Sequence, residues 1–207
     1  MGREMQIDRL ACEVLPNGTV IARDSRTGVG YVVQQLDSGQ EPVAPDVAVS
    51  AAGDVPRDSL EAIAAAPTPI AAARVAMRVA QGRVPAEGGA VILRDGALLR
   101  FIAVTGPHAE QLAGLRLRAG TGVVGHCMDR GVPLLVADTN EDPHHCREVD
   151  ALTGYHTRSL VAVPILGPDE VLGVIELVNA ARDVFGPGDI PPLQEVAVAL
   201  RERLSRE

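Results

Sequence analysis

Apolar and polar positions change period several times along the chain, and those changes predict its elements. Two apolar runs of strand length, Leu160-Val161-Ala162-Val163-Pro164-Ile165 and Val171-Leu172-Gly173-Val174-Ile175-Glu176-Leu177-Val178, flank a turn at Asp169-Glu170. Ala90–Leu93 and Leu98–Val104 flank Arg94-Asp95-Gly96-Ala97, where Asp-Gly between apolar runs signals a hairpin. Leu115-Arg116-Leu117-Arg118 alternates as a half-exposed strand does, and Val132–Asp138 is strand-like.

Helical spacing appears at both ends of residues 57–207. Ile70, Ala73, Met77 and Ala80 share one face of a helix over 70–81, with Pro69 in its first turn and Gly82 at its end. Leu193, Val196, Leu200 and Leu204 form the stripe of a final helix, for which Asp189 is the expected cap. A shorter helix over 59–66 is expected after Asp58 and before Pro67, and Pro107–Leu112 reads as a loop or short helix. Hairpin connections imply an antiparallel sheet, and the helices would cover its faces, giving an α+β fold.

The first 41 residues read as a small β-rich region. Apolar 7–15, 20–22 and 31–33 are joined by Pro16-Asn17-Gly18-Thr19, a type I′ hairpin signal, and by a turn at Ser25–Gly28. Such a meander is marginal alone and needs a surface to pack on. Residues 42–56 hold three prolines and no periodicity, as a flexible linker would.

Composition narrows the function classes. The net charge of −8 disfavours a phosphate-backbone partner, and 2% aromatics leave no stacking platform for single-stranded nucleic acid. All 19 basic residues are Arg. No apolar run approaches the ~20 residues of a membrane span, and Met1–Leu10 lacks a signal-peptide core. Three cysteines, Cys12, Cys127 and Cys146, imply no disulfide framework and a reducing, cytoplasmic setting.

Most candidate chemistry falls between Leu115 and Val178. Gly120-x-Gly122-x-x-Gly125 matches a dinucleotide fingerprint, but Asp138 follows Gly125 by only 13 positions, short of the ~20 and the crossover helix that fingerprint requires. The glycines instead suit a turn into a short helix whose free N–H groups could face an anion. His126, Cys127, His144, His145, Cys146 and His156 show no zinc-finger or His-x-x-x-His spacing, so no metal site and no cofactor is expected. His144-His145 after Asp142-Pro143 reads as an exposed loop, and Cys127 as the buried face of the short helix. Asp150, Thr153 and Thr157 are spaced to share one helical face, either capping the backbone locally or walling a polar ligand. Glu176 sits within an apolar strand, turned to solvent or to a cavity.

Taken together, the glycine turn, Leu134–Asp138, the run Val149-Asp150-Ala151-Leu152-Thr153-Gly154-Tyr155-His156-Thr157-Arg158-Ser159 into Leu160–Ile165, and Val171–Asn179 resemble the GAF domain family over about residues 67–207. The Asp-x-x-Thr-Gly-Tyr-x-Thr-Arg-Ser segment is most similar to the GAF domains of cyclic-nucleotide phosphodiesterases and adenylyl cyclases. The resemblance implies a central antiparallel sheet of about six strands with helices on both faces. It implies a cyclic-nucleotide pocket involving Asp150, Thr153, Thr157 and Glu176, bordered by Asp138. Asn179, Phe185 and Asp189 match the family's supporting signature. Ala180 and Ile190 replace its Lys and Glu, and Arg182 is placed to reach Asp189 instead.

The expected function is a bacterial cytoplasmic signalling module, not an enzyme. It would bind a small ligand and relay it through a homodimer or partner contact of the helices at 70–81 and 193–204. The alternatives are a ligand-free interaction scaffold and, because one branch of the family works this way, a thiol-dependent methionine sulfoxide reductase.

Overall fold

A computed structural model describes residues 59–107, 109–147, 149–150 and 154–206, with the backbone of three strands before them. Those strands are β1 (Leu10–Val14), β2 (Thr19–Asp24) and β3 (Gly30–Gln35). Helices α1 (Leu60–Ala64) and α2 (Pro69–Arg83) follow. Next come β4 (Ala86–Asp95), β5 (Leu98–Thr105), α3 (Ala109–Leu112), β6 (Arg116–Arg118), α4 (Gly122–Arg130) and β7 (Leu134–Val136). Strands β8 (Leu160–Leu166) and β9 (Val171–Ala180), a 3-10 turn (Pro187–Asp189) and α5 (Ile190–Leu204) complete the chain.

The six expected strands pair antiparallel in the order β6-β5-β4-β9-β8-β7. The N-terminal meander extends the same sheet, β3 pairing with β6 through Tyr31↔Leu117. Its expected turns, and the linker at 42–56, lie outside the described residues.

Alternation along the central strands sorts side chains to two faces. Val91, Ile175 and Leu177 join one cluster with Met77, Leu193, Val196 and Leu200, so α1, α2 and α5 cover that face. Burying a side chain of this size stabilises by about 1.5–3 kcal/mol, and the predicted stripe of α5 is therefore its anchor. Ala90, Phe101, Ala162 and Val174 pack on the opposite face with Val123, Val124 and Cys127 of α4. Helices thus cover both faces.

The caps differ from expectation in three places. Ser59, not Asp58, caps α1, its Oγ accepting from the Ala62 N–H at 3.3 Å. Helix α2 runs through Gly82 to Arg83, because the Val84 N–H still bonds to Ala80. Asp189 stands at the cap position of α5, but its carboxylate accepts from the Gly186 N–H at 2.7 Å and pairs with Arg182.

Candidate functional site

The second face of the sheet carries a pocket roofed by α4 and by His145, Cys146, Val149, Asp150, Tyr155 and Thr157. Its space open to water-molecule centres is about 90 Å³, several times the roughly 10–15 Å³ that one water needs. Gly88, Ala90, Phe101, Val104, Leu117 and Val178 form much of its floor and walls. The polar groups are few: Thr105, Thr121, His145, Asp150, Tyr155, Thr157 and Glu176.

The glycine motif shapes the roof. Gly122 has a φ of +69°, which L side chains rarely adopt. A Cβ on Gly125 would lie 2.3 Å from the Gly120 carbonyl carbon, so the third glycine lets the turn close onto the helix. Thr121 gives α4 no side-chain cap, and Gly122, Val123 and Val124 line the pocket. The first turn of α4 therefore faces it.

Asp150 and Thr157 do meet, but not across a helix. Gly154 bonds back to the Asp150 carbonyl at 2.8 Å, after which residues 155–159 run irregularly into β8. That return brings the Thr157 N–H and hydroxyl onto the Asp150 carboxylate, each at 2.8 Å, and His145 Nε2 completes the set at 3.3 Å. Burial alone would raise the Asp150 pKa; the His145 and Thr157 hydrogen bonds outweigh it and hold the group below the usual carboxylate range. Thr153 lies outside the described residues.

Glu176 lines the pocket from mid-β9, so alternation turns it to the cavity. Desolvation pushes its pKa up to about 7, with the Asp150 charge adding to the rise and His145 opposing it. Asp138 is exposed, and its Oδ1 accepts from the Asn140 N–H (2.9 Å) and Nδ2 (3.0 Å).

Asn179 ties the stretch after Gly154 to β9. It is buried with a φ of +54°. Its Oδ1 accepts from the Arg158 N–H at 2.7 Å, and its Nδ2 donates to the Tyr155 hydroxyl, His156 carbonyl and Glu87. Phe185 is buried in the cluster beneath the helices, and Asp189 pairs with Arg182 as anticipated.

Two groups escaped the sequence reading. His145 is not in an exposed loop: its side chain is 9% exposed against 48% for His144, which stacks on His126. The turn that Asp142 closes, accepting from the His144 and His145 N–H groups, separates the two side chains, and no periodic pattern signals it. Glu87 had no signal either. It sits in an aperiodic Ala-Glu-Gly-Gly stretch, yet it accepts from Tyr155 at 3.1 Å and pairs with Arg158 at 2.6 Å. The Arg158, Asn179 and Tyr155 hydrogen bonds together hold its carboxyl low.

Cys127 is buried, its thiol donating to the Val132 carbonyl at 3.3 Å; burial first, then the Glu176 charge, pushes its pKa to about 12. Cys146 lines the pocket. Among the described residues no group of three or more His, Cys, Asp or Glu is arranged to hold a metal ion.

The GAF domain family matches residues 68–204. This chain belongs to that family. A 71-residue segment is 37% identical to the dual 3',5'-cyclic-AMP and -GMP phosphodiesterase 11 of Drosophila melanogaster, over 34% of this chain and 5% of that protein. The chain therefore spans only a small part of such relatives, and the likeness is to phosphodiesterases, as the resemblance expected. The GAF domain of a phosphoenolpyruvate-protein phosphotransferase from Coxiella burnetii superposes with a TM-score of 0.61 at 21% identity, covering 70% of this chain and 87% of that one. A free methionine-R-sulfoxide reductase from Neisseria meningitidis gives 0.58 at 23% identity, covering 70% and 83%. These likenesses establish the fold. GAF domains are in general signalling modules, and among the described residues no helix is long and apolar enough to cross a membrane.

Proposed function

We propose that this chain is a ligand-sensing regulatory module without catalysis of its own. The observation that carries the reading is the pocket: an apolar cavity with a few convergent polar groups, the usual make-up of a small-molecule site. Tyr155 and Thr157 form part of its wall, and Thr157 and Arg158 are held by hydrogen bonds to Asp150 and Asn179, so an occupant would bear directly on that network. Helices α2 and α5 share the cluster on the far face and are joined by Arg83–Glu195 at 2.6 Å, and we propose them as the route to a partner or a second copy.

Cyclic nucleotides are the first ligands to test, given the phosphodiesterase likeness. Their phosphate suits the amides at the α4 N-terminus. Asp150 enters this reading as the residue that shapes the wall, since its oxygens already accept from Thr157 and His145. The buried, neutral Cys127 favours sensing over thiol chemistry.

Calorimetry with cAMP and cGMP, alongside a methionine sulfoxide turnover assay with dithiothreitol, separates the alternatives. Heat with a cyclic nucleotide and no turnover is expected. Turnover abolished by Cys146→Ser would replace sensing by catalysis.

A further inference from the structure

Glu176 differs from the pocket's other acid in what it lacks. Asp150 is bound by Thr157 and His145, and beyond the pocket's rim Glu87 is bound by Arg158, Asn179 and Tyr155. Among the described residues the Glu176 carboxylate accepts no hydrogen bond and has no cation at ion-pair distance. Its cross-strand neighbours are Ala90 on β4 and Ala162 on β8, two methyl groups that leave the space above it open. From α4 it faces the neutral Cys127 thiol, whose hydrogen goes to Val132. From the 144–150 segment it faces His145 and Asp150. No Arg lines the cavity among the described residues.

We propose that the pocket takes a small organic cation, an amine or amidine on an apolar body, whose charged nitrogen donates to the Glu176 carboxylate. The proposal rests on the ligand-binding reading above and names the class of ligand. A half-buried carboxylate on an apolar wall with no protein partner is poorly satisfied, and a ligand that supplies donors stabilises it. Phe101, Val104, Leu112 and Val123 offer the apolar body its contacts. The Asp150 charge nearby favours a cation further. The raised Glu176 pKa of about 7 accords with an acid lacking its counter-charge, and a bound cation would draw it down.

The test uses benzamidine as the probe and benzoate as its isosteric anion, titrated calorimetrically into the whole chain. Benzamidine is expected to bind at pH 8 and to weaken by about tenfold or more at pH 5.5, where Glu176 is protonated. Benzoate should give no heat. Glu176→Gln should weaken benzamidine by about tenfold or more and remove the pH dependence, whereas Glu176→Asp keeps that dependence and the exposed Glu202→Gln changes nothing. If benzamidine binds no better than benzoate, or binds Glu176→Gln equally well, the cation assignment is overturned. Heat from cyclic nucleotides but not from benzamidine would leave the ligand-binding reading standing and remove only the cation. Silence from all of them would remove both.

Discussion

Glu176 and Asp150 occupy the same pocket and are held in opposite senses. Asp150 accepts three hydrogen bonds and is held below its ordinary 3.8, so the stability it contributes is lost only as pH falls through the acid range beneath that value. Glu176 lies at about 7, above its ordinary 4.5. Between those values the native state holds a proton that the unfolded state has released, so stability falls as pH rises from about 4.5 to about 7. Glu176→Gln removes this dependence. The variant is expected to exceed the wild type by about 1–3 kcal/mol at pH 8 and to come close to it at pH 4.5. Urea denaturation at both pH values checks this, and an equal difference at the two would contradict the assignment. The alternation of β9 left Glu176 either solvent-facing or cavity-facing, and only the placement of α4 above the sheet decides it.

Among the elements, α4 and its glycine turn were the most legible part of the site. Positive φ and close approach are constraints that glycine spacing expresses directly. Gly125→Ala would drive a Cβ into the Gly120 backbone, and because backbone cannot swing aside, a loss of about 1–3 kcal/mol or more is expected. Thermal denaturation reads the loss, and a variant as stable as the wild type would show that the turn relaxes. The 145–157 segment was the least legible element. Asp150 and Thr157 were taken to share a helical face, and they do come together, but through a chain reversal after Gly154 that periodicity does not encode. Glu87 and Arg158 are 71 positions apart, so no local pattern announces their pairing. The cap of α1 was misplaced by one position for a simpler reason: Asp58 and Ser59 are adjacent, and both are good capping residues.

At the scale of the whole molecule, the sheet divides two jobs. One face binds α1, α2 and α5 through Leu, Val and Met contacts; the other carries the pocket under α4. This division was readable in advance, because hairpin signals such as Asp95-Gly96 fixed the pairing of β4 with β5 and the stripe of α5 fixed its buried face. The pairing of the N-terminal meander with β6 was not, since β3 and β6 are separated by more than the length of three elements and their pairing spans only Tyr31↔Leu117 and Val32↔Arg116. Under the proposed function, an occupant would touch strands that both faces share, and the helical face would sense it through them. The most direct test is a crystal structure of the chain grown with millimolar cAMP, cGMP and benzamidine in separate drops. Ordered density at the first turn of α4 for a cyclic nucleotide, or against Glu176 for benzamidine, is the predicted result. A pocket holding only water in every crystal would contradict it.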